Sequence, residues 1–264
     1  MKPVILLSMV LATTLFAGCG HMPGRTEEDP FGLRTGDVTP SERLEIRRAI
    51  QFLEDKNAGL ESVKGIGNID IYAENQVIHG RLAWIGDAAA RLRVTLIGIE
   101  GRPVMSIAVD ENRFYAYSHP DRRFYTAGKS DRRLASILSI ELPYDALAAF
   151  LMGRVPVPPY RFARFGEDPF GHVLSLVVET SHDIFRIFFN GDKTRLRGME
   201  YYGSNGELIY RAVFSGHEAV DAFVLFSSIS VTDGRAAALT LDVDQAWVNV
   251  PIDPSVFTLR DESE

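Results

Sequence analysis

The feature that most constrains this chain is a two-residue alternation of apolar and polar side chains, repeated in about a dozen short segments from Val63 onward. Successive side chains on a strand point to opposite faces, so this text describes antiparallel strands with one dry and one wet face. Gly65, Gly67, Ile69 and Ile71 alternate with Lys64, Asn68 and Asp70. Ile78, Leu82 and Trp84 alternate with His79 and Arg81, and Leu92, Val94 and Leu96 with Arg91, Arg93 and Thr95. Strands over 104–109, 113–118 and 123–126 complete a first meander of about six. A second series is predicted over 172–179, 183–189, 195–202, 207–215, 222–231 and 236–243. Turn text separates the strands at Ala73-Glu74-Asn75, Gly86-Asp87 and Asp110-Glu111-Asn112. Asn190-Gly191 and Asn205-Gly206 predict type I′ hairpin turns, whose two central residues take positive φ.

Helical text is sparse. Thr39-Pro40-Ser41-Glu42 places a capping residue, a proline at the first helical position and a glutamate three residues after the cap. Ile46, Ala49, Ile50 and Leu53 then share one face, and Asn57-Ala58-Gly59 offers the stop. Between the two strand series, Ser130 caps a short helix with Leu134, Ile137 and Leu138 on one side. A second begins at Pro143 with Leu147, Phe150 and Leu151, ending at Gly153 and the Pro156-Val157-Pro158-Pro159 run. The expected fold class is therefore mainly β. A large curved antiparallel sheet curls over a hydrophobic interior that the helices close incompletely; a fully packed core with no cavity is the alternative. The predicted cavity lining is Ile69, Ile71, Leu82, Trp84, Leu92, Val94, Leu174, Leu176, Phe185, Ile187, Phe189, Leu239 and Leu241.

Catalytic text is missing. There is no Gly-rich phosphate loop, no G-x-S-x-G elbow and no H-E-x-x-H. His172 and His182 with Glu179 and Asp183 form one local cluster of metal-capable side chains, but their spacing matches no ligand signature and no metal is expected. The acid pairs Asp110-Glu111 and Glu167-Asp168 read as solvated loop residues. No enzyme activity and no cofactor are expected.

The N-terminus assigns a compartment. Lys2 precedes an apolar run from Val4 to Phe16, too short for a bilayer-spanning helix of about 20 residues but right for a signal peptide. Phe16-Ala17-Gly18-Cys19 resembles the lipobox of bacterial lipoproteins, with Phe16 where leucine is usual. Cys19 is the single cysteine, so acylation by diacylglycerol and palmitate-type chains would leave no thiol unexplained. Residues 1–18 then form the signal peptide, 19–38 a lipidated flexible tether, and 39–264 a single domain. Gly20 is not the aspartate that resembles an inner-membrane retention signal, so a lipid anchor in the outer membrane, facing the periplasm, is expected. The chain's net charge is −7, and losing Lys2 with the leader makes it more acidic. That balance disfavours nucleic acid as a partner.

The order of lipobox, tether, helix, meander, two helices and meander resembles the LolA/LolB superfamily of lipoprotein carriers and receptors. It is closest in texture to LolB-like outer-membrane lipoproteins. The segment from Leu142-Pro143 to Leu151-Met152-Gly153-Arg154-Val155-Pro156 and the final Asn249-Val250-Pro251-Ile252-Asp253-Pro254-Ser255-Val256-Phe257 carry the resemblance. It implies an unclosed half-barrel with helices as a lid over a hydrophobic cavity, the lid being Leu134, Ile137, Leu138, Leu147, Phe150 and Leu151. By the same resemblance the cavity takes lipoprotein acyl chains or other lipid, with a periplasmic carrier protein as partner and transfer of cargo without bond chemistry. It also implies a membrane-insertion loop, which matches Thr95 to Gly101 and places Ile97 and Ile99 at its apolar tip. A second reading is an envelope assembly or scaffold lipoprotein that binds a protein partner through exposed Tyr115, Tyr117, Tyr201 and Tyr202.

Overall fold

A computed structural model describes residues 38–73, 76–128, 141–178, 181–233 and 238–260. Thirteen strands form one antiparallel sheet. The first meander comprises β1 (Ser62–Ala73), β2 (Gln76–Asp87), β3 (Leu92–Gly98), β4 (Pro103–Val109), β5 (Arg113–Ser118) and β6 (Arg123–Gly128). The second comprises β7 (Tyr160–Asp168), β8 (Gly171–Val178), β9 (Ile184–Phe189), β10 (Leu196–Tyr202), β11 (Leu208–Val220), β12 (Phe223–Asp233) and β13 (Ala238–Val248). The strand order, β6-β5-β4-β3-β2-β1-β13-β12-β11-β10-β9-β8-β7, leaves β6 and β7 as open edges. The sheet is a half-barrel that does not close, with the apolar positions of the alternation on one face.

Helix α1 (Pro40–Asp55) begins as its text dictates: Thr39 is the cap, and its hydroxyl accepts the Glu42 N–H at 3.2 Å. Ile46, Ala49 and Leu53 are buried on the sheet side. Helix α2 (Tyr144–Leu151) lies against β2 and β12 near the middle of the sheet. The helix predicted from Ser130, with Leu134, Ile137 and Leu138, lies outside the described residues, as do Cys19, residues 1–37 and Glu179.

Three features of the sequence reading need correction. A strand that it lacks, β7, forms the edge beside β8. The two Asn-Gly turns are not type I′. Asn190 instead accepts the N–H groups of Thr194 and Arg195 through its side chain, and positive φ falls on Lys193. In the other, Gly206 alone is left-handed and donates to Gly203 O, as in a type I turn followed by a left-handed glycine. The tyrosines proposed as an exposed interface are also placed otherwise. Tyr201 is buried on the helix-covered face, with its hydroxyl donating to Asp183 at 2.6 Å.

Tyr115 is 8 % exposed although it lies on the opposite, outer face. The C-terminal Pro-Ile-Asp-Pro element explains this. It forms a 3-10 turn over Pro254–Phe257 that packs on the outer face of β3 and β4. Phe257 is fully buried, Arg91 stacks over its ring at 4.9 Å, and Arg93 donates to the Val256 carbonyl at 3.3 Å. Tyr115 donates to Asp110 at 2.8 Å, and burial followed by that carboxylate pushes its phenol pKa up. Tyr117 and Tyr202 are half-buried. Tyr202 is tied to Glu200, a buried carboxylate that also binds Arg186 and Arg211 on the outer face.

Candidate functional site

The inner face carries the apolar rows expected from the alternation. Ile69 pairs with Leu241 and Ile71 with Leu239 across the β1–β13 seam. Leu82, Trp84, Leu92 and Val94 continue the face toward β6, and Leu174, Leu176, Ile187 and Phe189 toward β7. All of these are buried, and Phe185 is half-buried. The sequence-predicted lining residues therefore share one continuous face.

Helix α2 fills the middle of that face. Its sequence is apolar nearly all round, as a helix needs when it is buried on several sides. Ala146, Leu147, Ala148, Phe150 and Leu151 are all buried. The Phe150 ring meets Phe214 edge-on at 5.1 Å and Tyr210 at 6.4 Å. Phe214 stacks on Phe226 at 4.0 Å, Tyr210 meets Tyr201 at 5.6 Å, and Tyr201 meets Phe185 at 4.6 Å. One aromatic row thus crosses β9 to β12 through a single α2 side chain. Burial pushes the Tyr210 phenol pKa strongly up.

The end of α2 is fastened by side chains from outside the helix. Gly153 takes φ +67°, and a Cβ there would sit 2.6 Å from Val224 O. Asn57, itself left-handed just past α1, donates through Nδ2 to the Met152 and Val224 carbonyls at 2.9 Å. Its Oδ1 accepts the Val224 N–H at 3.0 Å. Arg154 donates to the carbonyls of Asn57 and Leu60. Two side chains thus tie the ends of α1 and α2 to the β11–β12 turn. Beyond the glycine and arginine of the Leu151-to-Pro156 motif, no local sequence pattern signals this tie. By contrast, Pro143 at the start of α2 makes no side-chain cap.

A cleft of about 230 Å³ opens between α1 and the β7–β9 side of the sheet. Ala49, Phe52, Phe165 and Phe189 line it, with Glu45, Arg48 and Lys193 at its lip. Lys193 hydrogen-bonds Glu45 at 2.5 Å, which holds that carboxyl below its ordinary pKa, and lies 4.8 Å over the Phe165 ring. Full small-molecule sites span about 300–1,000 Å³, so this cleft admits part of a ligand. His172 stacks on Phe165 at 5.6 Å and bonds Gly191 O at 3.1 Å, while His182 lies beyond the other end of β8. The structure does not bring the two histidines together.

The β3–β4 turn contains the remaining predicted residues. Ile97 is half-buried at the end of β3, paired with Arg81 and Pro103. Ile99 is 87 % exposed at the tip. Only the second projects into solvent.

No protein-family model matches the chain, and no curated protein sequence matches it. Solved structures do. A LolA superfamily protein of Nitrosomonas europaea superposes with a TM-score of 0.58 at 13% identity, over 81% of this chain and 97% of that one. The domain has the LolA/LolB-like fold. A domain named for outer membrane lipoprotein sorting, from Vibrio parahaemolyticus, matches with a TM-score of 0.55 at 12% identity, over 81% of this chain and 95% of its own. A DUF1329 family protein from Desulfovibrio piger matches at 0.54 and 10% identity, over 83% and 98%. Within this LolA/LolB-like fold, among the described residues, no helix is long and apolar enough to cross a membrane.

Proposed function

We propose that this domain binds the acyl chains of lipoproteins on its inner face, in place of α2, and passes them to the outer membrane. The observation that carries the reading is the contrast between face and cover. A continuous apolar face spans the sheet, yet its middle is closed by an eight-residue helix. A helix of that length is not stable on its own, since isolated helices need about 12–15 residues. Most of its length is held by packing, and an acyl chain can offer the same face equivalent apolar area at about 25 cal/mol per Å². The tie at Asn57 and Arg154 makes the end of α2 the pivot about which it lifts.

In this reading Cys19 holds the domain to the membrane by its acyl chains, residues 19–38 act as the tether, and a periplasmic carrier protein supplies the cargo. The activity is binding and transfer, with no bond made or broken. The fold shared with a Vibrio parahaemolyticus domain named for lipoprotein sorting supports it. Of the four tyrosines named for the scaffold alternative, Tyr115 and Tyr201 are buried and Tyr117 and Tyr202 are half-buried. The test is displacement of N-phenylnaphthylamine from residues 39–264 by a tripalmitoylated lipopeptide. Saturable displacement, with faster hydrogen exchange in α2 on binding, is expected. If the lipopeptide displaces nothing, the proposal fails.

Delivery supplies a second prediction. Ile99 has nothing to pack on, and inserting an isoleucine side chain into an apolar phase is worth about 1.5–3 kcal/mol. Ile99→Glu is expected to slow release of bound lipopeptide into phospholipid vesicles about tenfold or more, with binding unchanged. Release at the wild-type rate would remove the turn from the delivery step.

A further inference from the structure

Trp84 lies on the inner face at 4 % exposure, opposite Gly65 of β1 and Val94 of β3. Its position is fixed by the glycine. A Cβ at residue 65 would come within 2.1 Å of Cζ2 and 2.4 Å of Cε2, so the indole lies directly on the β1 backbone. The ring nitrogen Nε1 is buried there and makes no hydrogen bond. An indole N–H is a donor only, and a buried donor without an acceptor is unfavourable. A phenylalanine would fill most of this space without that penalty. Nor is water a natural partner, because a buried water needs two to four polar groups. Leu82, Leu92, Val94 and Ile107 on the same face supply none. Tyr210, further along the face, repeats the pattern: it is 1 % exposed and its hydroxyl donates to the Met199 sulfur at 4.0 Å, a weak acceptor.

We propose that the Trp84 indole N–H donates to the carbonyl oxygen of an ester- or amide-linked acyl chain on the inner face, so that the domain selects acylated over alkylated lipids. This rests on the acyl-binding reading above and names the group in the cargo that is read. The chain tails are held by area alone and cannot distinguish one lipid from another. A donor placed among apolar side chains fixes the depth at which the linkage sits. A ligand without an acceptor gains nothing from it, because the donor stays as unsatisfied as it is in the free protein.

The test compares dioctanoylglycerol with di-O-octylglycerol, which differ only in the two carbonyl oxygens, as displacers of N-phenylnaphthylamine from residues 39–264. Wild type is expected to bind the ester about threefold to tenfold more tightly than the ether. Trp84→Phe should bring the ester-to-ether affinity ratio to about one. In ¹⁵N-indole spectra, the Trp84 Nε1–H resonance should move on adding ester and not on adding ether. Trp247, whose ring carries Lys64 at 5.7 Å on the outer face, is the internal reference. Equal affinity of wild type for both lipids, an equal loss for both in the variant, or an unmoved Trp84 resonance would overturn the proposal while leaving acyl binding intact. Failure of both lipids to bind would overturn it together with the reading on which it rests.

Discussion

Phe150→Ala will destabilise the domain by about 3–5 kcal/mol, the cost of removing a large aromatic side chain from a packed core, and will tighten ligand binding. Phe150 is fully buried and is the α2 residue that joins the aromatic row of the sheet. Its removal leaves an apolar void against Phe214 and Tyr210, and α2 keeps only Leu147 and Leu151 as large anchors. For a domain of this size the melting temperature should fall by about 10 °C. The same loss weakens the plug that a ligand must displace, and apparent affinity rises with the fraction of molecules already open. A gain of about tenfold for N-phenylnaphthylamine is expected. Calorimetry and fluorescence titration of one variant read both effects. A fall in stability with no gain in affinity would make α2 ordinary core rather than a displaceable cover.

Gly67→Val will disrupt the sheet at its centre. A Cβ at Gly67 would lie 2.3 Å from the Asp242 carbonyl oxygen and 3.0 Å from the Val243 Cα. Both are backbone atoms of β13, so no side chain can rotate away to relieve the contact. The register slips between Ile66 and Gly67, where Asp244 is the extra residue of β13 and is held by Asn68 and Arg81 at 2.8 Å each. The bulge leaves the two backbones no freedom to separate. A cost of about 3 kcal/mol or more is expected, at the upper end for overpacking. Amide exchange should quicken along β1 and β13 before it does in β3–β5. Uniform exchange at the wild-type rate would contradict this.

Much of the fold was written in the side-chain period. Arg113–Ser118 forms a strand over the predicted residues, and Thr39 caps α1 as its text requires, because each is decided within a few neighbouring residues. The sequence reading fails where that period is interrupted. The register shift between Tyr160 and Phe162 puts side chains of β7 out of alternation, so the edge strand did not read as one. Gly216, at φ +71°, and the extra Asp244 likewise hid the far ends of β11 and β13. The inner-face residues were legible for the same reason as the strands. The tie of Asn57 and Arg154, and the donor of Trp84 left without an acceptor, were not. Each depends on what segments far apart in the chain bring to one place, or fail to bring, and no local pattern records that.

The strand order has a further consequence for how the molecule is made. The partner of β1 is β13, so the middle of the sheet is a pairing between nearly the first and nearly the last residues of the domain. Each meander can assemble from neighbours as it emerges. Until the final strand arrives, however, β1 presents an open edge with an uncovered apolar face, the kind of edge that recruits strands from other chains. Pairings this distant in sequence also slow folding, because the loop must be closed before the contact rewards it. The chain therefore receives its keystone strand last, and its period of greatest exposure to misassembly ends only when β13 is in place.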